Sequence, residues 1–586
     1  MTLTTLDWSI VVGALVVCFL PALFFAQRAG RSTTEFFTSG RSAPWWLIGV
    51  SMVATTFSTD TPNLVTGLVR NGGVSANWIW WAFVLTGMTT VFFYARLWRR
   101  LGLLTDLEFY ELRYAGRPAS WVRGFRAIYL GFVFNVAIMA AVNLAAAKIA
   151  NVLLGWPIGT TLVVCGVINV IFAATSGLWG VLVADTLQFT LALTGSIVAA
   201  WFALQRPEVG GLAGLAAQIE PQTLALLPDW GEPATVLAVF VVPLAVQWWA
   251  AWYPGSEPGG GSYVAQRMLA ARSEADAFHG TLLFNVAHYA LRPWPWILVA
   301  LSSRLVFPDL ADIQRALPHV DPSLLGDDMA YSAMLTFLPA GLLGAMIAGL
   351  LAAYVSTIST HLNWGTSYLV HDFYRRFLRP DASERHYVLI GRLVTAALMA
   401  LSGGVTLLLG TAQDAFNLML SIGAGTGLLY LLRWFWWRIN AWSEIAAMVS
   451  SFVIAVVLFV ANRGGAGLDG PWVLVASVAV TTVVWLAVTH LTPPVERATL
   501  QRFYRLVRPG GPGWRQVRLE CGGLAPADDL GLALDGCVTG CVFVYAALFG
   551  TGLLLLGRPM PGMVLTTVAA VAAWRLGRIV RAQGPR

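Results

Sequence analysis

Apolar stretches separated by short polar loops run along the whole chain. About fifteen of them approach the ~20 residues that an α-helix needs to cross a bilayer. They lie near residues 8–26, 44–70, 76–98, 121–153, 157–176, 180–204, 235–253, 277–303, 331–369, 388–410, 414–434, 441–462, 471–491, 537–557 and 560–577. This pattern predicts an all-α polytopic membrane protein.

The second apolar stretch changes composition near its middle, within Ser51–Gly67. Hydroxyl-bearing residues crowd together with Asp60 and Pro62 at a depth where polar groups are costly unless they line a cavity. Proline also removes a helical hydrogen bond and frees nearby carbonyls. We therefore predict a broken helix at Ser58–Asn63. The alternative is a kinked helix whose hydroxyls bond to their own carbonyls.

The seventh stretch repeats this device. Phe240–Trp252 is apolar, residues 253–261 are rich in Pro and Gly, and Ser262–Arg267 resumes a helical composition. The two interrupted stretches are five spans apart, and we expect them to run in opposite directions across the membrane. Such a pair is the sequence sign of an inverted-repeat transporter.

The pattern divides the chain into two repeats with one helix before them and about four after them. The predicted segments are 1–43 (first helix and cytoplasmic link), 44–204 (first repeat), 205–234 (extracellular loop), 235–434 (second repeat), 435–492 (two additional helices), 493–535 (cytoplasmic Arg-rich loop) and 536–586 (two C-terminal helices and a short tail).

Charge supports the membrane assignment and suggests an orientation. Only 11% of residues are charged, against about 25% in soluble proteins. The net charge of +7 comes from arginines that concentrate in alternate loops, among them Arg267 and Arg272. By the positive-inside rule the N-terminus lies outside and the C-terminus in the cytoplasm of a plasma (inner) membrane. Lys148, near the outer end of its predicted helix, would reach the interface.

The predicted helix within 331–369 carries a second polar cluster. Ser356, Thr357, Ser359 and Thr360 occupy about one helical turn, so at least two hydroxyls share a face. Hydroxyls and the freed carbonyls of a broken helix together supply oxygen ligands for sodium. The alternative is that these hydroxyls join packed helices through hydrogen bonds.

Several of these segments resemble those of the sodium/solute symporter family. They are SGRSAPWW, SMVATTFSTD, SGLWGVLVADTLQ, YVAQRMLAA, AAYVSTIST and LLRWFWWRINAWSEIAA, in this order, and the resemblance covers roughly residues 8–490. It implies the five-plus-five inverted-repeat fold of the bacterial leucine transporter. It also implies sodium-coupled uptake of a small organic solute by alternating access.

The resemblance implies two ion sites. The main sodium would be held by the carbonyls of Ala54, Phe57 and Ala353 and the hydroxyls of Ser356 and Thr357. A possible second sodium would be held by Asp185, Ser359 and Thr360. A proton on Asp185 is the alternative, because burial disfavours an ionised carboxylate.

The solute site departs from the pattern of sugar-transporting relatives. Where those proteins place acidic and amide side chains, this chain has Thr61, Trp80 and the pair Gly261-Ser262, and it adds an insertion at 254–260. These differences argue against a simple sugar. The candidate solute-binding residues are Asp60, Thr61, Asn63, Trp80, Asn135, Tyr263 and Arg292.

Arg292 has two interpretations, as the ligand of an anionic solute or as an ion-pair partner of Asp60. The expected partners are a sugar, an amino acid or a carboxylate, together with the lipid bilayer and no nucleic acid.

Other function classes fit less well. A membrane-embedded enzyme would need a catalytic cluster, and the seven histidines are scattered without a H-E-x-x-H pattern. A transporter-like solute sensor would carry a signalling domain, and 493–535 is too short for one. A proton-coupled transporter of the same fold remains the nearest alternative.

Overall fold

The computed structural model describes residues 3–29, 31–409, 420, 423–463, 467 and 470–582. Every regular element in this part is helical, and 11 helices are long and apolar enough to cross a membrane. The principal helices are α1 Thr5–Ala29, α2 Trp45–Thr55, α3 Asp60–Gly72, α4 Val74–Leu101, α5 Gly116–Leu154, α6 Ile158–Leu204, α7 Pro233–Ala250, α8 Ser262–Ala270, α9 Glu274–Val286, α10 Pro293–Val306, α11 Leu342–Leu378, α12 Glu384–Thr406, α13 Ala441–Arg463, α14 Gly470–Leu491, α15 Leu530–Leu555 and α16 Pro559–Ala582. The predicted all-α membrane fold is confirmed.

Shorter helices fill the loops. They are Thr33–Thr38, Glu108–Arg113, Gly211–Gln218, Leu310–Ala316, Ala330–Leu335, Gly427–Leu432, Arg497–Val507 and Arg515–Glu520. The predicted loops 205–234 and 493–535 are therefore partly helical.

Both predicted interruptions are present. The first is short: α2 ends at Thr55 and α3 begins at Asp60. Pro62 lies in the first turn of α3, where its missing N–H costs nothing because that N–H has no intrahelical partner. The break thus starts two residues before the predicted Ser58–Asn63.

The second interruption covers residues 251–261 between α7 and α8. Gly255, Gly259 and Gly260 have φ angles of +82°, +77° and +78°, a region that side chains other than glycine rarely adopt. A Cβ on Gly255 would also lie 2.1 Å from the Tyr263 hydroxyl oxygen. The glycines allow this segment to fold back into the protein interior.

Helix α6 contains two predicted spans in one element. It bends at Gly177, whose φ is +54° and ψ −169°, at the predicted boundary between 157–176 and 180–204. By contrast the predicted stretch 331–369 is divided, because α11 begins only at Leu342 and continues to Leu378. Of the predicted span 414–434, residues 414–419, 421 and 422 lie outside the described residues. The division into five plus five core spans stays a prediction.

Two basic residues are placed differently from their sequence predictions. Lys148 is 2% exposed, and its Nζ lies 2.8 Å from Asp328 Oδ2, so its side chain pairs inside the protein instead of reaching the interface. Arg267, counted above among the loop arginines, lies in α8 with no exposed surface. Each lies near a carboxylate whose negative charge offsets the cost of burying a positive charge.

Candidate ion and solute sites

Both helix breaks line one internal cavity. Its wall includes Ser58 and Asp60 from the first break and Tyr253, Pro254 and Ser256 from the second. The cavity is small, with a volume of about 90 Å³. The arrangement fits a solute site at the junction of the two breaks.

The residues predicted for the main sodium site lie between α2 and α11. Ala54, Phe57, Ala353 and Ser356 are at most 3% exposed, and Thr357 is 4% exposed. The Thr357 hydroxyl donates a hydrogen bond of 2.8 Å to the carbonyl oxygen of Thr55. This contact joins α11 to the C-terminal end of α2, next to the predicted carbonyl ligands Ala54 and Phe57.

The hydroxyls of Ser356 and Thr357 donate their protons to other groups of the protein. Ser356 Oγ donates to Asp185 Oδ1 at 2.6 Å, as Thr357 donates to Thr55. A hydroxyl that donates its proton elsewhere keeps its lone pairs for a cation. The chemistry of these side chains therefore fits sodium.

Asp185 is held by three other helices. Its Oδ2 accepts a hydrogen bond from Ser51 Oγ of α2 at 2.5 Å, and Oδ1 accepts the bond from Ser356 of α11. The Arg267 guanidinium of α8 approaches Oδ2 to 3.8 Å, and all four side chains are at most 1% exposed. Asp185 thus has a positively charged partner within the protein.

The other two residues predicted for the second sodium lie close by but have different partners. Ser359 Oγ donates to the Ser356 carbonyl at 3.1 Å. Thr360 Oγ1 accepts a hydrogen bond of 2.7 Å from Arg267 and lies 3.1 Å from Thr55 Oγ1. Arg267 therefore lies beside both Asp185 and Thr360, where the resemblance implies an ion.

Asp60 and Thr61 both line the cavity, whereas Asn63 does not. Asn63 has no exposed surface, and neither polar atom of its amide has a hydrogen-bond partner in the described part of the chain. Of the three, Asp60 supplies the formal charge of the cavity.

Aromatic rings form much of the remaining wall. Trp80 stacks on Tyr289 with ring centroids 5.9 Å apart and an interplanar angle of 25°. Tyr253 stacks on Phe83 with centroids 5.7 Å apart and an angle of 14°. Tyr263 also lines the cavity, as predicted from its position in α8.

Asn135 does not line the cavity but fixes a residue that does. Its Nδ2 donates to the His361 carbonyl, and its Oδ1 lies 2.8 Å from His361 Nδ1. Because an amide oxygen only accepts, Nδ1 of His361 carries the proton. His361 lines the cavity, so Asn135 positions a cavity side chain.

Arg292 lies behind the cavity wall with no exposed surface. It donates to the Val53 carbonyl at 3.2 Å and to Thr56 Oγ1 at 3.3 Å, and it also bonds to His288 Nδ1. It forms no ion pair with Asp60 in the part of the chain that the structure describes, although its charge acts on that carboxylate. In this position Arg292 is neither a lining residue of the cavity nor an ion-pair partner of Asp60 among the described residues. Its hydrogen bonds instead support the C-terminal end of α2.

Sequence reasoning missed Arg267, Tyr253, Tyr289 and His361. A signal for Arg267 was present, because it follows Tyr263 by four residues and so shares its helical face. Tyr253 lies in the second break and Tyr289 in the helical segment after α9. Only the folded structure shows that both rings line the same cavity.

Comparison with known proteins identifies the family of this chain. The family model described as "SSF: Sodium:solute symporter family" matches residues 36–453. The chain belongs to this family. It is therefore an integral membrane protein that couples the transport of a small solute to sodium, and its family is one of transporters, not enzymes. The predicted function class and the co-transported sodium ion are confirmed.

Relatives share the family at low identity. A sodium/glucose cotransporter of Vibrio parahaemolyticus is 24% identical over 443 residues, which cover 73% of this chain and 80% of that protein. A sodium/mannose cotransporter of Bos taurus is 26% identical over 520 residues, which cover 84% and 81%.

A solved structure shows the same fold. It is a Na⁺-coupled sialic acid symporter in a substrate-bound outward-open state, 19% identical, with a TM-score of 0.65. The match covers 84% of this chain and 99% of that chain.

Proposed function

We propose that this symporter imports a small organic solute through the cavity between the two helix breaks, driven by sodium bound between α2 and α11. The main sodium is coordinated by the carbonyls of Ala54, Phe57 and Ala353 and the hydroxyls of Ser356 and Thr357. The observation that carries the proposal is the Thr357–Thr55 contact, since it brings the hydroxyls of α11 to the carbonyls of the first break, beside the solute cavity.

This position explains how ion and solute are coupled. Thr55, Thr56 and Thr357 line the solute cavity. The first two are next to the ligand carbonyls of the first break and Thr357 is itself a ligand, so an ion there stabilises the wall that the solute contacts. If each ligand favours the same conformation, each raises the affinity of the other by the same factor. The relatives named for glucose and mannose, and the sialic acid symporter, support a small organic solute as cargo.

Two finer statements complete the proposal. The chain lies in the plasma (inner) membrane with its N-terminus outside and its C-terminus in the cytoplasm, as the arginine distribution supports. A second sodium binds Asp185, Ser359 and Thr360 in a conformation in which Arg267 has moved away from Thr360, whose hydroxyl oxygen now accepts a hydrogen bond from Arg267.

The test replaces Ser356 and Thr357 together by alanine. Contacts of a charged group with a hydrogen-bonding partner are worth about 1.5–3 kcal/mol each, so sodium affinity should fall tenfold or more. Sodium-dependent thermal stabilisation of the purified protein measures this affinity. The control is Ser367→Ala, which removes a buried hydroxyl of the same helix that donates to the Trp364 carbonyl at 2.7 Å. Unchanged sodium stabilisation in a folded double variant would remove the assignment.

A further inference from the structure

The solute cavity contains a carboxylate without a cationic partner. Asp60 is partly exposed at the start of α3, and in the described part of the chain no basic side chain forms an ion pair with it. The charge of Arg292 acts on Asp60, but its guanidinium forms hydrogen bonds with Val53, Thr56 and His288 instead. A carboxylate at bilayer depth is costly unless it is compensated, and the helix N-terminus at which Asp60 lies offsets only part of that cost. A cation in the cavity would offset the rest.

His288 supplies no such charge. The Arg292 guanidinium lies beside the imidazole ring of His288, and a positive charge there disfavours a second one on the ring. The negative charge of the described cavity wall comes from Asp60.

The rings of the wall favour a particular kind of cation. Trp80, Tyr253 and Tyr289 all line the cavity, and the charge of Asp60 reaches the Tyr253 hydroxyl. The faces of aromatic rings attract cations, and aromatic cages are a common way to bind ammonium groups.

We infer that the solute carries an ammonium group, which Asp60 neutralises and the rings of Trp80, Tyr253 and Tyr289 surround. This inference rests on the proposed function, because it takes this cavity to be the solute site. It favours ammonium compounds over neutral sugars as the preferred cargo, since a sugar hydroxyl can donate a hydrogen bond to Asp60 but brings no positive charge. Cationic and zwitterionic ammonium compounds share the required chemistry.

The experiment compares charged and neutral molecules of one shape. The purified full-length protein in sodium is heated with choline or with 3,3-dimethylbutanol, in which carbon replaces the quaternary nitrogen. Glycine betaine and γ-aminobutyrate test zwitterions with quaternary and primary ammonium groups, and glucose tests the neutral class. At least one ammonium compound should raise the melting temperature, with at least tenfold higher affinity than dimethylbutanol or glucose.

Asp60→Asn should lower the affinity for that ammonium compound at least tenfold and remove its advantage over the neutral molecules. Asp381→Asn, which changes an exposed carboxylate in the loop before α12, should leave both unchanged. Sodium-dependent stabilisation without solute should persist in Asp60→Asn, and this separates the inference from the proposed function. If that sodium effect is instead absent from the parent protein, the proposed function fails.

A second pair of variants covers the case in which Asp60→Asn does not fold. Tyr289→Phe keeps the ring and loses only the hydroxyl that lies 3.3 Å from Ser256 Oγ, whereas Tyr289→Leu removes the ring. Phenylalanine should preserve the affinity within about twofold, and leucine should reduce it about fivefold or more. Stabilisation by glucose but by none of the ammonium compounds, or by no compound of the panel, overturns the inference. So does a preference for ammonium that survives both Asp60→Asn and Tyr289→Leu.

Discussion

Asp60 and Asp185 are both carboxylates at membrane depth, and the protein treats them in opposite ways. Asp185 is 1% exposed and is held by Ser51, Ser356 and Arg267 from three helices. Asp60 is partly exposed, faces a cavity and has no ion-pair partner among the described residues. The first carboxylate is compensated by the folded chain itself, and the second depends on what enters the cavity.

The difference assigns different tasks to the two regions. A buried charge with several fixed partners stabilises one arrangement of helices and resists change. A carboxylate in a cavity is poised to bind, because a cation that reaches it relieves a cost already present. The Asp185 region therefore determines how α2, α6, α8 and α11 are held together, and the Asp60 region determines which solute is chosen.

The largest effect should follow removal of the Arg267 charge. Arg267→Met leaves Asp185 buried without its cation, and breaking a buried pair in this way costs about 3–5 kcal/mol. Unfolding in mixed detergent micelles would measure the loss.

The double variant Arg267→Met with Asp185→Asn is the control for that prediction. Because it removes both charges, it should recover a large part of the lost stability. Equal destabilisation in the single and double variants would show that Asp185 and Arg267 do not compensate each other.

A smaller effect is expected in the sodium dependence of Asp185→Asn. If a second sodium binds Asp185, the Hill coefficient for sodium should exceed one in the parent and fall to about one in the variant. Initial rates of uptake at varied sodium concentration measure this. A Hill coefficient that stays above one in Asp185→Asn would rule out a second sodium at Asp185. Arg267 would then be the cation that pairs with this carboxylate.

The smallest effect should be that of Asp60→Asn on stability without solute. Since no cation among the described residues forms an ion pair with Asp60, removing its charge should not lower the free energy of unfolding by more than about 0.5 kcal/mol. A loss comparable to that of Arg267→Met would erase the contrast between the two carboxylates.

Much of this architecture could be predicted from the sequence, because membrane depth makes local composition informative. The two interruptions, the hydroxyls at 356–360 and the boundary between the spans 157–176 and 180–204 were each marked by a local change of composition. The position of Pro62 was misjudged, since proline begins a helix as readily as it ends one.

What could not be predicted depends on contacts between distant segments. Arg267 reaches Asp185 across a sequence separation that no local pattern encodes, and its basic charge suggested a loop. Similarly, the stacking of Trp80 on Tyr289 requires the packing of α4 against the segment after α9. Such pairings follow from tertiary packing and not from periodicity.

The central claim is that sodium bound between α2 and α11 drives solute through the adjacent cavity. Its most direct test is proteoliposome uptake of whichever compound most stabilises the parent protein, supplied in labelled form under an inward sodium gradient, with an equal potassium gradient as reference. The account predicts accumulation with sodium only, and its loss in the Ser356→Ala, Thr357→Ala double variant but not in Ser367→Ala. Equal accumulation under the potassium gradient, or full sodium-driven uptake by the double variant, would contradict it.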